Sequence, residues 1–167
     1  SAASDVYKRQ DYDTYFSVDD ELALISYINE GEEAKICGGI GMQSHVDIKR
    51  PTLEEYGNAL KAFINAGLEV QITELDITIN FDTDDTDGRT PTYAYKNEKE
   101  TDADQAAFTK DFIKQIVDIQ KNRDKTISPK GITGITVWGI SDQTSWRGSC
   151  KPLFFTRKSV RVKDETT

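Results

Sequence analysis

The sequence predicts an α/β fold with a parallel sheet, and three observations carry that prediction. Ile40 and Met42, then Leu68, Val70 and Ile72, then Ile135 and Val137 place apolar side chains at every second position, the period of a strand with two unlike faces. The stretch before each of these runs repeats its apolar residues at helical spacing. Strands joined through helices run parallel, because a crossover of that length carries the chain back to the starting end of the sheet. Three such units and a remnant do not close a barrel of eight. The elements therefore fit either a small open α/β domain or part of a larger barrel.

Taken in order, Asp11-Tyr12-Asp13-Thr14-Tyr15 is a polar, aromatic run suited to the end of a strand. Ser17 with Asp20 reads as a helix start, Leu22, Ile25 and Ile28 follow at helical spacing, and Gly31 stops the helix. The glycine-rich strand after it puts Ile40 and Met42 on one face and Gly41, Gln43 and His45 on the other. Thr52 and Glu55 form a capping box behind Pro51. Leu53, Tyr56, Leu60, Phe63 and Ile64 make the apolar stripe of that helix, and Gly67 ends it. Leu68, Val70 and Ile72 alternate with Glu69, Gln71 and Thr73, and the strand delivers Glu74 and Asp76 near its C-terminal end. Residues 80–100 read as a long polar loop. Thr101 and Asp104 open a helix to about Asn122, striped by Ala106, Phe112, Ile113, Ile116 and Val117. The last strand sets Ile135 and Val137 against Thr136 and Trp138, and a loop then carries Ser145, Trp146 and Arg147.

Composition narrows the functional classes. With 21 Lys+Arg against 29 Asp+Glu the chain carries a net charge of -8, which argues against nucleic acid or an anionic membrane as partner. No apolar run is long enough to span a bilayer. Cys37 and Cys150 match neither a disulfide framework nor a zinc motif and are expected as free thiols. Residues 1–10 and 157–167 lack a core-facing stripe and read as loose ends or as sequence foreign to the fold.

The faces of the strands locate a candidate site. Helices cover the outside of a parallel barrel, so the apolar strand residues face outward and Gln43, His45 and Trp138 face inward near the mouth. Strict alternation would turn Glu74 outward with Leu68 and Ile72. The alternation is therefore expected to break at Thr73 and Glu74, by a bulge or a turn of the strand end. The constellation is then Gln43, His45, Glu74, Asp76, Trp138 and Trp146. A retaining glycosidase needs a carboxylate nucleophile and a carboxylic acid ~5–5.5 Å apart. Gln43 and His45 can donate to such a nucleophile, Asp76 can hold His45 in one tautomer, and indole faces suit the C–H faces of a sugar ring. Each residue also has a bland role: a strand-end surface pair for Glu74 and Asp76, a hydrogen-bonded core histidine for His45, and core packing for the tryptophans.

Four stretches carry a family signature. They are Gly39-Ile40-Gly41-Met42-Gln43-Ser44-His45, Val70-Gln71-Ile72-Thr73-Glu74-Leu75-Asp76, Thr136-Val137-Trp138-Gly139-Ile140-Ser141-Asp142, and Ser145-Trp146. In order and spacing they resemble glycoside hydrolase family 10, the endo-1,4-β-xylanases. Asp11-Tyr12-Asp13-Thr14-Tyr15 is similar to the motif ending that family's fifth strand, with Asp13 where Asn is usual. The resemblance covers residues 11–155 and implies part of a (β/α)8 TIM barrel, roughly strands five or six to eight with their helices. Residues 1–10 and 156–167 fall outside it. It further implies that Glu74 is the nucleophile of a retaining endo-1,4-β-xylanase, which attacks internal bonds of xylan through a covalent glycosyl-enzyme intermediate. It makes His45, Asp76 and Gln43 the support of Glu74, and Trp138 and Trp146 the lining of the subsite where the sugar is distorted. It implies no cofactor, xylan or xylo-oligosaccharide as partner, a monomeric full-length enzyme and an extracellular location. The family's acid/base Glu lies in a Trp-x-x-Val-Asn-Glu type motif at the end of strand four, and the present sequence contains no such motif. The chain by itself is therefore expected to be inactive.

Two other readings compete. A non-catalytic carbohydrate-binding module would use Trp138, Trp146, Tyr12 and Tyr15, but has no need of Glu74 with its Gln43, His45 and Asp76 neighbours. A metallohydrolase on His45, Glu74 and Asp76 is disfavoured because the chain has a single histidine. The acidic run at residues 82–88 fails the EF-hand pattern: with Gly88 at loop position six, position one is Thr83 and position twelve Ala94.

Overall fold

Two capping boxes fix where the longer helices begin. Thr52 Oγ1 accepts from the Glu55 amide while the Glu55 carboxylate accepts from the Thr52 amide, which starts α2 (Leu53–Asn65). Thr101 and Asp104 make the same reciprocal pair ahead of α3 (Asp102–Asn122). The shorter α1 (Val18–Asn29) has Ser17 at its N-cap without a side-chain cap bond, so here the expected cap is only positional. Gly67, at φ +78°, lets the chain leave α2 in the left-handed region, a turn that costs an L-side chain free energy.

These helices connect the strands of a parallel sheet. The computed structural model describes residues 7–11, 15–79, 100–147 and 150–155. Its strands are β1 (Tyr7–Asp11), β2 (Cys37–Met42), β3 (His45–Asp47), β4 (Glu69–Thr78) and β5 (Ile132–Val137). β1 pairs with β2, β2 and β3 with β4, and β4 with β5, all parallel. β3 continues β2 along one side of β4: the Glu74 amide donates to the Gln43 carbonyl and the Asp76 amide to the Ser44 carbonyl across the join. Residues 150–152 take over from β5 on the other side, where the amides of Ile77 and Ile79 donate to the carbonyls of Pro152 and Cys150.

Two expectations meet a different outcome. Residues 7–10, read as part of a loose end, belong to β1; their pairing with β2 is a backbone matter that a stripe of side chains does not announce. Ile135, expected under a helix, is 41% exposed, because it lines an open groove between α3 and the sheet. Residues 1–6, the Tyr12 to Thr14 part of the aromatic run, the polar loop at 80–99 with its acidic run, and residues 156–167 lie outside the described residues.

The core lies between the sheet and the helices. Tyr56, Leu60, Phe63 and Ile64 of α2 and Phe112 and Ile116 of α3 pack with Ile40, Met42, Val70, Ile72, Leu75 and Ile77. Burying each such side chain contributes about 1.5–3 kcal/mol, which outweighs helix propensity in holding these elements. Val117, placed on the α3 stripe by its spacing, stays partly exposed. Cys37 and Cys150 are buried free thiols.

Candidate active site

A change of parity in β4 creates the site. From Met42 to His45 the neighbouring strand advances three residues while β4 advances four, from Ile72 to Asp76. On its other side β4 advances three residues, Ile72 to Leu75, against two of β5, Ile135 to Val137. One extra residue of β4 therefore sits at Thr73 and Glu74, a β-bulge of the kind the alternation required. Before it Val70 and Ile72 face the helices; after it Leu75 and Ile77 do. Glu74 and Asp76 are thereby turned to the opposite face.

There they meet His45, at the start of β3. His45 Nδ1 lies 2.9 Å from Asp76 Oδ2 and His45 Nε2 lies 3.1 Å from Glu74 Oε2. Asp76 is buried, and its Oδ2 also accepts from Trp146 Nε1 at 2.8 Å. A carboxylate oxygen accepts, so each ring nitrogen has an acceptor facing it, and the imidazole is held between Asp76 and Glu74.

A third partner of Asp76 completes this chain of contacts. Arg147 is 2% exposed, with Nη1 3.7 Å from Asp76 Oδ1 and its guanidinium carbon 4.5 Å from the Trp146 ring centre. It neutralises the buried side of Asp76 and stacks on the indole in one placement. The His45 and Trp146 rings meet edge to face at 4.8 Å. In the sequence Arg147 stands out only by following Trp146 in a loop, and a loop has no period that would mark a side chain as buried.

The structure thus brings together four of the six candidates through side chains: His45, Glu74, Asp76 and Trp146. Gln43 reaches Glu74 through its backbone carbonyl, 3.0 Å from the Glu74 amide. Trp138 follows β5, its amide donating to the Leu75 carbonyl between Glu74 and Asp76, and its side chain is half exposed. Trp146 is equally half exposed, and its indole bonds Asp76 while still offering surface to solvent. No group of three or more His, Cys, Asp or Glu side chains is placed to hold a metal ion among the described residues.

The profile of glycosyl hydrolase family 10 matches residues 7–163. The chain belongs to that family. The family 10 match begins where β1 begins and extends past Phe155, so it is wider at both ends than residues 11–155. Endo-1,4-beta-xylanase A of Butyrivibrio fibrisolvens is 39% identical over 150 residues, which cover 90% of this chain and 30% of that protein. Endo-1,4-beta-xylanase A of Xylanibacter ruminicola is 36% identical over 127 residues, 69% of this chain and 33% of that protein. The family 10 chain therefore spans about a third of the length of these curated relatives. Among solved structures, the CBM22-1–GH10 modules of Clostridium thermocellum endo-1,4-beta-D-xylanase 10B, complexed with xylohexaose, are 27% identical with a TM-score of 0.70. They match over 93% of this chain and 27% of theirs. The catalytic core of a xylanase A shares the fold at a TM-score of 0.69, with 93% of this chain covering 46% of it. These neighbours are (β/α)8 barrels, and the parallel sheet described above is part of such a barrel.

Proposed function

We propose that this chain supplies the nucleophile side of a retaining endo-1,4-β-xylanase. The observation that carries the reading is the contact of His45 Nε2 with Glu74 Oε2, backed by Asp76 on the far ring nitrogen. A carboxylate that must attack an anomeric carbon has to stay ionised, and a doubly donating imidazole favours that state. Glu74 attacks, the glycosyl-enzyme forms, and water releases it with help from an acid/base carboxyl. Trp138 and Trp146 carry the faces on which the sugar rings rest, and Gln43 flanks the nucleophile. Xylan or xylo-oligosaccharide is the substrate, acting outside the cell, and no cofactor, nucleic acid or membrane takes part. The complete enzyme works as a monomer.

The chain alone does not turn over in this reading, because it offers no second carboxyl in the required motif. Joining it to an upstream half that carries the family's strand-four Asn-Glu motif tests the proposal. Reducing ends released from xylan should appear in the joined protein, be absent from the 167-residue chain, and fall by about four orders of magnitude or more in Glu74→Gln. Full activity in Glu74→Gln would end the proposal. Xylan binding without turnover in the joined protein would favour the carbohydrate-binding reading instead.

A further inference from the structure

The bulge that aims Glu74 sits beside a second irregularity. Ser44 joins β2 to β3 at φ +66°, in the left-handed region that an L-residue enters at a cost. Serine carries that cost here without being glycine, so something must hold it. Ser44 is fully buried, and its hydroxyl lies 2.7 Å from the hydroxyl of Tyr56 on α2. Ser44 Oγ also donates to the Met42 carbonyl at 3.3 Å. The same Met42 carbonyl accepts from Thr73 Oγ1 at 3.2 Å, and Thr73 is the first residue of the bulge.

These contacts form a continuous path from the helix layer to the site. With the Ser44 hydrogen committed to Met42, the Tyr56 hydroxyl is the donor in their contact. Burial pushes the Tyr56 hydroxyl well above its ordinary range, which keeps it neutral and able to donate. The Tyr56 ring is clamped by Phe112 at 4.5 Å and Tyr15 at 6.0 Å, so its hydroxyl is held in place. Downstream, the Gln43 and Ser44 carbonyls accept from the amides of Glu74 and Asp76. The rotation at Ser44 therefore sets where those two amides, and the carboxylates beyond them, are placed.

We propose that Tyr56 is a positioning residue: from the helix layer its hydroxyl holds Ser44 in the left-handed conformation, and that hold fixes the bulge that aims Glu74. The importance of the latch rests on the reading of Glu74 as nucleophile, but its test reads geometry alone, so either can fail without the other.

The test is amide hydrogen exchange by NMR on the 167-residue chain. Tyr56→Phe keeps the ring between Phe112 and Tyr15 and removes only the hydroxyl. The Glu74 and Asp76 amides should exchange roughly two- to tenfold faster, the range expected from one lost hydrogen bond. The Val70 amide, which donates to Gly131 on the other side of β4, should keep its rate. The chain has one histidine, so the ring nitrogen signals of His45 are unambiguous and should shift in the same variant. Ser44→Ala, which leaves the core rings untouched, should reproduce both effects even where Tyr56→Phe impairs folding. In a Ser44→Gly background the left-handed conformation needs no support, and adding Tyr56→Phe should change nothing further. Equal acceleration at Val70, unchanged rates at Glu74 and Asp76, or an undiminished effect of Tyr56→Phe in the Ser44→Gly background would each overturn the proposal.

Discussion

Asp76 answers to three groups at once: His45, Trp146 and Arg147. Removing its charge leaves Arg147 with a neutral neighbour and allows His45 to present the wrong tautomer toward Glu74. In the joined protein, Asp76→Asn should lower kcat roughly ten- to hundredfold with KM little changed, the loss expected of one charged hydrogen bond that acts through the nucleophile. Steady-state kinetics on xylo-oligosaccharides check this. A second buried carboxyl sits further along β3 and affects stability alone. Burial pushes Asp47 above its ordinary 3.8, against hydrogen bonds from the Lys49 amide and Thr78. A raised carboxyl means the folded state holds the proton longer, so its stability contribution is present below 3.8 and fades as pH rises through the folded value. Asp47→Asn should flatten that decline in urea unfolding series taken from about pH 4 upward; an unaltered slope would contradict it. At this scale the sequence displayed residue types but not neighbours. Glu74, His45 and Asp76 could be picked out because their spacing along alternating strands puts them near one mouth. Arg147, Tyr56 and Ser44 could not, since burial of a loop arginine and the pairing of two hydroxyls across layers leave no periodic trace.

Elements were legible where a local rule acts alone. Both capping boxes were visible because the partners lie three residues apart, and the α2 stripe because helical spacing is strict. The bulge was legible only as a contradiction: alternation alone would have buried Glu74 beneath the helices, and a carboxylate there would lack partners. β1 was missed because its evidence is pairing with a distant segment. Capping also gives the helices a pH dependence. Hydrogen bonds from the Thr52 amide and hydroxyl hold the Glu55 carboxyl below its ordinary 4.5. A lowered carboxyl contributes stability above 4.5 that is lost as pH falls through the folded value. Thr52→Ala should therefore destabilise the chain near neutral pH, with the difference from the parent shrinking as the pH falls below 4.5. Thermal unfolding of the two proteins side by side checks it; a difference independent of pH would point to packing and not to the box.

At the scale of the whole molecule, the parallel order was readable from the alternation of helices and strands, and three units with a remnant were too few to close a barrel of eight. The consequence shows at β5. It pairs only with β4 among the described strands, and Ile135, Trp138 and Ile140 are exposed along and just after it, Ile140 by 80%. Beside it a groove of about 440 Å³ opens between α3 and the sheet, lined by Leu75, Ala106, Ile113, Val137 and Phe154. A strand edge with unpaired backbone groups next to apolar surface recruits another chain. The 167-residue chain should associate with itself in a concentration-dependent way, as read by sedimentation velocity. Charging the patch with Ile135→Lys and Ile140→Lys should shift that equilibrium toward the monomer, because each ammonium would lose its hydration on pairing. Joining the upstream half should have the same effect by supplying the neighbours that a closed barrel gives its edge strands. A chain that stays monomeric across the accessible concentrations, or association that both lysines leave untouched, would show that β5 is already covered.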